Sequence, residues 1–549
     1  MRPWHVHYDP GLPALLTPPH DTLLELFADA AWRAPEAPLI HYFGTTLSVR
    51  TIDRMSDAFA AALAERGVGH GDRVALFLQN VPQFPIAMLG IWKAGAIAVP
   101  CNPMLKTGEL AKQLRDARPK AIVALESLHR AVAAEAAVDS KVGVVITTAD
   151  EAFLDGARPA VVPAPQPGPA APAEDLLALL DAHDSSAVPR PQVAPEDVAV
   201  LTYTSGTTGP AKGAMNTHRN TVYTAHVYRD WLRLTPNDVI LGIAPLFHVT
   251  GLVAHLAVGL LLPAPIVLAY RFSPGETCRL IEHHGATFCL ATITAYQAIL
   301  ADPALAVHDV SSLQIAYSGG APIAPAFVES FEEATGISIR SAYGLTETTS
   351  PTHLTPLGRR TPVDPDTGAF SAGIPVFGTD ARILDERGNV LPAGEIGEIV
   401  VKGPQVVPGY WDNPDETGRA IRDGELWTGD VGKMDEDGWL YVVDRRKDLI
   451  VASGYKVWPR EVEDVLYEHR AVREAAAVGV PDAYRGESVA AFVSLVPGTS
   501  VSGEELVRFC RERLAAYKYP RTVLVLDDLP KTASGKIMRR ELREGSFVP

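Results

Sequence analysis

Tyr203-Thr204-Ser205-Gly206-Thr207-Thr208-Gly209-Pro210-Ala211-Lys212-Gly213 puts three glycines and four Ser/Thr hydroxyls within eleven positions. Such a loop turns several backbone N–H groups and hydroxyls toward one anion, and Lys212 adds a mobile cation. It reads as a phosphate cradle, with a Ser/Thr/Gly surface turn as the plain alternative. Asp197 to Tyr203 before it reads as a buried strand. Asn220 to Trp231 after it reads as a helix, with Tyr223, Val227 and Trp231 spaced four apart. Strand, glycine-rich loop and helix is an arrangement in which phosphate sites form. The loop is not a Walker A sequence, because Ala211 precedes Lys212 and Gly213 follows it, where that motif needs Gly and then Ser or Thr. An ordinary P-loop kinase or GTPase is therefore disfavoured.

Upstream, the pattern alternates. Leu23 to Ala34 and Thr51 to Arg66 read as helices, Arg73 to Leu78 as a strand, Pro82 to Ala94 as a helix and Ala96 to Pro100 as a second strand. That succession predicts βαβ units and a mainly parallel sheet, an α/β fold. Ala157 to Pro195 accumulates Pro and Ala and reads as a surface connection.

Downstream, Val239 to Ala244 reads as a strand running into a segment that holds His248, which on local sequence alone is a packed core histidine. Leu313 to Pro322 and Ser341 to Thr348 each read as a strand ending in a glycine-bearing turn, and ligands sit at strand carboxyl ends in open α/β sheets. Glu347 there could serve as a hard oxygen ligand for a phosphate-bound Mg²⁺, or be a solvent-facing turn carboxylate. A β-rich region begins at Glu395 and passes through Trp427 to Val431 and Gly438 to Val443. The mixed-charge run Asp444 to Asp448 reads as a domain joint rather than a solvated face. The last hundred or so residues read as a small α+β unit, ending in a tail where Ser534-Gly535 presents Lys536.

The chain of 549 residues is too long for one core, and roughly three or four structural units are expected. Its 47% apolar and 21% charged residues are those of a soluble globular protein. The net charge of −16 argues against binding nucleic acid or anionic membrane. Cys101, Cys278, Cys289 and Cys510 form no CxxC pair, so no disulfide framework or zinc site is expected, and a reducing cytoplasm fits best. The N-terminus lacks a secretory h-region. Gly251 to Tyr270 is apolar, but His255, Pro263 and Pro265 interrupt it; a buried helix, turn and strand are expected rather than a transmembrane segment.

With these pieces in order, the chain resembles the acyl-CoA synthetases of the adenylate-forming superfamily, which also includes firefly luciferase and peptide-synthetase adenylation domains. The resemblance runs from Thr22 to Arg543 and rests on Tyr203 to Gly213, Tyr343 to Thr348, Thr428 to Asp430, Asp444 to Lys447 and Pro530 to Lys536, in order. It implies a large N-terminal domain over 1–443 with parallel-rich sheets and a β-rich subdomain. It also implies a small mobile α+β C-terminal domain over 444–549, hinged at 444–447 on Lys447. The reaction it implies is attack of a carboxylate on the α-phosphate of ATP, giving acyl-AMP and pyrophosphate, followed by displacement of AMP by the thiol of CoA.

Carried over position by position, Thr204, Ser205, Gly206, Thr207, Thr208 and Lys212 resemble the loop holding the β- and γ-phosphates. Thr346 resembles the α-phosphate contact and Glu347 the Mg²⁺ ligand. Gly319, Gly320 and Ala321 with Ser341, Ala342, Tyr343 and Gly344 would frame adenine, Tyr343 stacking on it. Asp430 would accept from the ribose hydroxyls, Arg445 would reach the same sugar, and Lys536 would bridge carboxylate and α-phosphate. Ser453, Gly454 and Tyr455 would line the CoA path, where relatives often carry a lysine in place of Val451. The acyl pocket would draw on His248, Val249, Leu252, Ile293, Thr294 and Ser318, and the resemblance reverses the local reading of His248. Leu252 and Ile293 imply an apolar pocket without a nearby basic residue. Asp482 to Glu487 and Ser453 to Val457 look most like fatty-acid ligases. The implied partner is a small-molecule carboxylic acid, with no nucleic acid; monomer and homodimer both stay open. An enzyme adenylating an aryl, amino or other unusual acid and delivering it to a carrier protein or a non-CoA nucleophile in a biosynthetic pathway is the alternative enzyme, and a catalytically degenerate ATP- or acyl-binding protein the alternative outside catalysis.

Overall fold

The computed structural model describes residues 2–165, 171–183, 191–204, 211–365, 367–445, 448–452, 455–482, 486–532 and 536–544. Among these residues the chain builds four sheets. The first has seven strands, in the order Glu174–Asp175, Val144–Thr148, Ala121–Leu125, Arg73–Phe77, Ile97–Pro100, Val198–Tyr203 and Gly213–Thr217. Every pairing in it is parallel except the last. The second has nine strands and runs from Ile374–Pro375 through Ser350–Leu354, Ile339–Leu345, Ile315–Gly319, Phe288–Ala291, Ile240–Gly242, Ile266–Leu268 and Pro38–Tyr42 to Thr45–Ser48. It is parallel in the middle and antiparallel at both ends.

One apolar core joins the two sheets through the helices Gln83–Lys93 and His218–Trp231. Every residue of Gln83–Lys93 is buried, as its near-continuous apolar sequence requires. Its one cation, Lys93, is compensated by Asp53 at 2.6 Å and Asp57 at 2.8 Å, the pairing a buried ammonium needs. Trp92 spends its indole N–H on the Ala199 carbonyl at 3.0 Å, tying this helix to the strand that leads into the glycine-rich loop.

That loop corrects the strand–loop–helix expectation. Gly213–Thr217 folds back antiparallel to Val198–Tyr203, so the loop is the connection of a β-hairpin. The helix starts at the hairpin's far end, where the His218 N–H donates to the Asp197 carbonyl at 3.0 Å. Its N-terminus is capped by the Thr217 hydroxyl, which accepts from the Asn220 N–H at 3.1 Å. The Thr204 and Lys212 backbones close the base of that connection (Thr204 N–H to Lys212 carbonyl, 2.9 Å).

Gly251 to Leu268 forms a buried helix, a turn and a buried strand, as expected. No helix among the described residues is long and apolar enough to cross a membrane. All four cysteines are free and buried. The antiparallel β-rich region starts at Asp380–Leu384, earlier than Glu395, and continues through Gly397–Lys402, Glu425–Met434 and Leu440–Arg445. Turn residues around Asp385 to Asn389 hide that first strand from a reading by runs.

The last sheet is built from Ile450–Ala452, Tyr455–Val457, Val472–Asp482, Gly486–Leu495 and Thr522–Leu526, with helices Pro459–Tyr467 and Gly503–Arg511 packed on it. Asp444, near the end of Leu440–Arg445, is buried, and its carboxylate accepts from Arg539 Nη1 at 2.8 Å. Arg539 also forks onto Glu463 at 3.0 and 2.7 Å.

Candidate active site

Ile315–Gly319 and Ile339–Leu345 end side by side, with Ser318 opposite Ser341 and Gly319 opposite Ala342. Their carboxyl ends bring Gly319, Gly320 and Ala321 beside Ser341, Ala342, Tyr343 and Gly344 in the wall of a cavity of about 1580 Å³. The backbones approach closely. A Cβ on Gly344 would fall 2.0 Å from the Ser350 carbonyl oxygen, and one on Gly319 would fall 2.6 Å from that of Ala342. Thr349 and Ser350 hold φ of 52° and 92°, conformations costly for residues with a Cβ. Tyr228, 2.7 Å from the Ser350 hydroxyl, and Gln405, whose carbonyl accepts from Thr349 Oγ1 at 3.0 Å, fasten them.

Thr346 and Glu347 follow in the single turn Thr346–Thr348. Asn216 Nδ2 donates to the Thr346 carbonyl at 3.1 Å, linking this turn to the hairpin of the glycine-rich loop. Glu347 Oε1 accepts from the Tyr410 hydroxyl at 2.6 Å. Lys212 Nζ lies 4.9 Å from the centre of the same Tyr410 ring and donates to Glu416 Oε2 at 2.5 Å. Thr204, Lys212, Thr346, Glu347 and Tyr410 thus share one end of the cavity wall. Asp430 accepts from the Tyr343 hydroxyl at 2.8 Å, and its backbone stands opposite that of Arg445.

Lys536 enters the same wall from the C-terminal region. Its segment is braced by Thr532, whose N–H donates to the Lys536 carbonyl at 2.7 Å and whose hydroxyl accepts from the Lys536 N–H at 3.1 Å. Burial pushes the His248 imidazole down to about 4, and the Lys536 ammonium adds to the shift. His248 is therefore neutral at pH 7, with Nδ1 accepting from the Thr250 N–H at 3.3 Å.

His248, Val249, Ile293 and Thr294 stand in the cavity wall with Ile243, Phe247 and Leu290. Leu252 and Ser318 do not: Leu252 is buried in the core between the sheets, and Ser318 is buried in its strand. Arg271 stands in the wall beside Phe272, a basic neighbour that the local sequence around His248 did not disclose. Tyr455 lies outside the wall, 58% exposed and stacked on Tyr517 at 4.7 Å. Ser205, Gly206, Thr207, Thr208, Lys447, Ser453 and Gly454 lie outside the described residues.

Among the described residues no group of three or more His, Cys, Asp or Glu could cage a metal ion. Glu347 offers one carboxylate at the Lys212 end of the cavity. That donor set fits Mg²⁺, which keeps its waters and takes one or two carboxylates plus substrate phosphates. Sequence reading missed Tyr410, Glu416 and Asn216. The only local signal was the aromatic pair Tyr410-Trp411 before the helix-starting Asn413-Pro414.

Residues 27–411 match the family described as AMP-binding enzyme, and residues 461–536 match its AMP-binding enzyme C-terminal domain. The chain belongs to the AMP-binding enzyme family. It is similar to a long-chain-fatty-acid–CoA ligase of Bacillus subtilis, 38% identical with 99% of this chain and 98% of that one covered. It is also similar to a feruloyl-CoA synthase of an Amycolatopsis species, 36% identical over 93% of this chain and 96% of that one. ATP-bound MatB from Rhodopseudomonas palustris superposes with a TM-score of 0.84 at 29% identity, covering 95% and 98% of the two chains. With relatives of this kind matched over nearly their full length, the protein is an AMP-forming acyl-CoA ligase.

Proposed function

We propose that the acid activated is a medium- or long-chain fatty acid. The observation that carries this reading is the apolar stretch Ile243, Phe247, Val249, Leu290 and Ile293, continuous with the Lys212–Glu347–Asp430 region in one cavity. The long-chain-fatty-acid–CoA ligase relatives support it. An aryl acid is the second reading, supported by the feruloyl-CoA synthase relative and by a solved anthranilate CoA ligase of TM-score 0.84 and 26% identity.

In this reading ATP lies with adenine along Gly319–Ala321 and Tyr343, its ribose hydroxyls donating to Asp430 and its terminal phosphates at Thr204 and Lys212. Tyr343 donates to Asp430 Oδ2, a bond that would hold the carboxylate in place for the sugar. Glu347, held by Tyr410, would hold Mg²⁺, which when bound offsets phosphate charge. The carboxylate oxygen attacks the α-phosphorus and pyrophosphate departs; Lys536 and Thr346 meet the charge that accumulates on the α-phosphate oxygens. His248, neutral, separates the acyl end from the thiol path without adding a second cation beside Lys536. We place the domain boundary at 443/444 and the hinge at Lys447, so that the C-terminal domain carries Lys536 in for adenylation and rotates for transfer to CoA.

A panel of fatty, aryl and amino acids with ATP, read by mass spectrometry with and without CoA, tests the assignment. Acyl-AMP and acyl-CoA from medium- or long-chain fatty acids are expected. Products confined to aryl acids favour the second reading, and acyl-AMP without acyl-CoA contradicts CoA as acceptor.

A further inference from the structure

Lys212 already has an anion. Its Nζ meets Glu416 Oε2 at 2.5 Å, both side chains are partly buried, and the Tyr410 ring covers the ammonium at 4.9 Å. Glu416 is fixed from its own helix, Pro414–Ala420: the Asn413 side chain accepts from the Glu416 N–H at 3.2 Å, and Arg419 donates to the other carboxylate oxygen. Lys212 first, then Arg419, hold the Glu416 carboxyl below the usual carboxylate range, so it is an anion at neutral pH.

Two features make this pair more than a static brace. A lysine engaged at 2.5 Å divides its three N–H donors and its charge between Glu416 and any phosphate until it leaves Glu416. When it leaves, Glu416 keeps Arg419, so the carboxylate is not left without a cation. Glu416 thus has a second cation to keep when Lys212 turns to a ligand. Tyr410, the ring over Lys212, also donates to Glu347, so one short segment, Tyr410 to Arg419, touches both the lysine and the acid at this end of the cavity.

We infer that Glu416 is a positioning residue that parks Lys212 between turnovers and takes it back as pyrophosphate leaves. The inference rests on reading Lys212 as the contact of the terminal phosphates. In adenylation the bond from the acid's oxygen to the α-phosphorus forms and the bond from that phosphorus to the bridging oxygen breaks. Pyrophosphate then departs with the electron pair. Return of Lys212 to Glu416 withdraws a cation from that product, and the Glu416 charge opposes its rebinding.

The test is steady-state kinetics and pyrophosphate inhibition of the full-length Glu416→Gln enzyme. KM for ATP is expected to fall, and the inhibitory potency of pyrophosphate to rise, each about three- to tenfold. KM for the acid and for CoA should stay put, and Glu416→Asp should restore most of the wild-type values. Arg419→Gln, at an exposed side chain, tests the same balance with opposite sign and serves if the Glu416 variant does not fold. Without the Arg419 charge, Glu416 holds Lys212 harder and KM for ATP rises. Lys212→Ala run in parallel separates the two layers. If it leaves KM for ATP unchanged, the phosphate reading of Lys212 fails. If it raises KM while Glu416→Gln and Arg419→Gln leave ATP and pyrophosphate constants at wild-type values, parking is overturned and the phosphate reading stands.

Discussion

Lys536 is the residue whose removal should separate chemistry from folding. Its backbone, not its ammonium, makes the two bonds to Thr532 that brace its segment. Those backbone bonds persist in Lys536→Ala, which should lose about 3 kcal/mol or more of transition-state stabilisation, by analogy with loss of an oxyanion donor, with its folding checked by circular dichroism. That corresponds to at least about a hundredfold in ATP–pyrophosphate exchange; exchange at the wild-type rate contradicts the role. At this scale the sequence was informative where chemistry is packed into a short run, as at Thr346-Glu347 and in the Lys212 loop. It did not pair Tyr410 with Glu347 or Glu416 with Lys212, 63 and 204 residues apart, because nothing local marks either pairing.

At the scale of elements, Asp444, near the end of a strand of the β-rich sheet, is paired with Arg539, at the start of the last helix. Arg539 is three residues beyond Lys536, so its grip on Asp444 and Glu463 fixes where that lysine enters the cavity. Asp444→Asn should slow pyrophosphate exchange more than it slows CoA transfer to supplied acyl-AMP. Equal loss in both half-reactions would contradict a role specific to adenylation. The helix and strand succession was legible because buried strands and amphipathic helices carry different periods. The hairpin was not. Gly213-Ala214-Met215-Asn216-Thr217 lacks the β-branched run of a strand, and it becomes one through pairing with Val198–Tyr203 and through bonds such as Met215 N–H to the Gly409 carbonyl at 3.0 Å. Leu252, buried in the core and outside the cavity wall, shows a related effect: an apolar residue near a site looks the same in sequence whether it faces the cavity or the core.

For the molecule as a whole, the buried histidines set a pH dependence. His226, His255 and His353 are pushed down to about 3, chiefly by burial, from an ordinary value of 6.5. The unfolded chain takes up protons near pH 6.5 that the folded chain refuses, so this contribution to stability is full above about pH 6.5 and is lost as pH falls toward 3. At pH 5 each of these imidazoles costs the fold about 2 kcal/mol. The thermal unfolding midpoint should fall between pH 7 and pH 5, and less so in His353→Gln; a midpoint independent of pH contradicts this. The architecture that buries them also makes one cavity out of the Lys212–Glu347–Asp430 region and an apolar end, and the depth of that apolar end is a property no single motif encodes. The most direct measurement is the acid panel with ATP and CoA, read by mass spectrometry. Acyl-AMP and acyl-CoA from medium- or long-chain fatty acids are the predicted result, and absence of AMP formation from every such acid would contradict it.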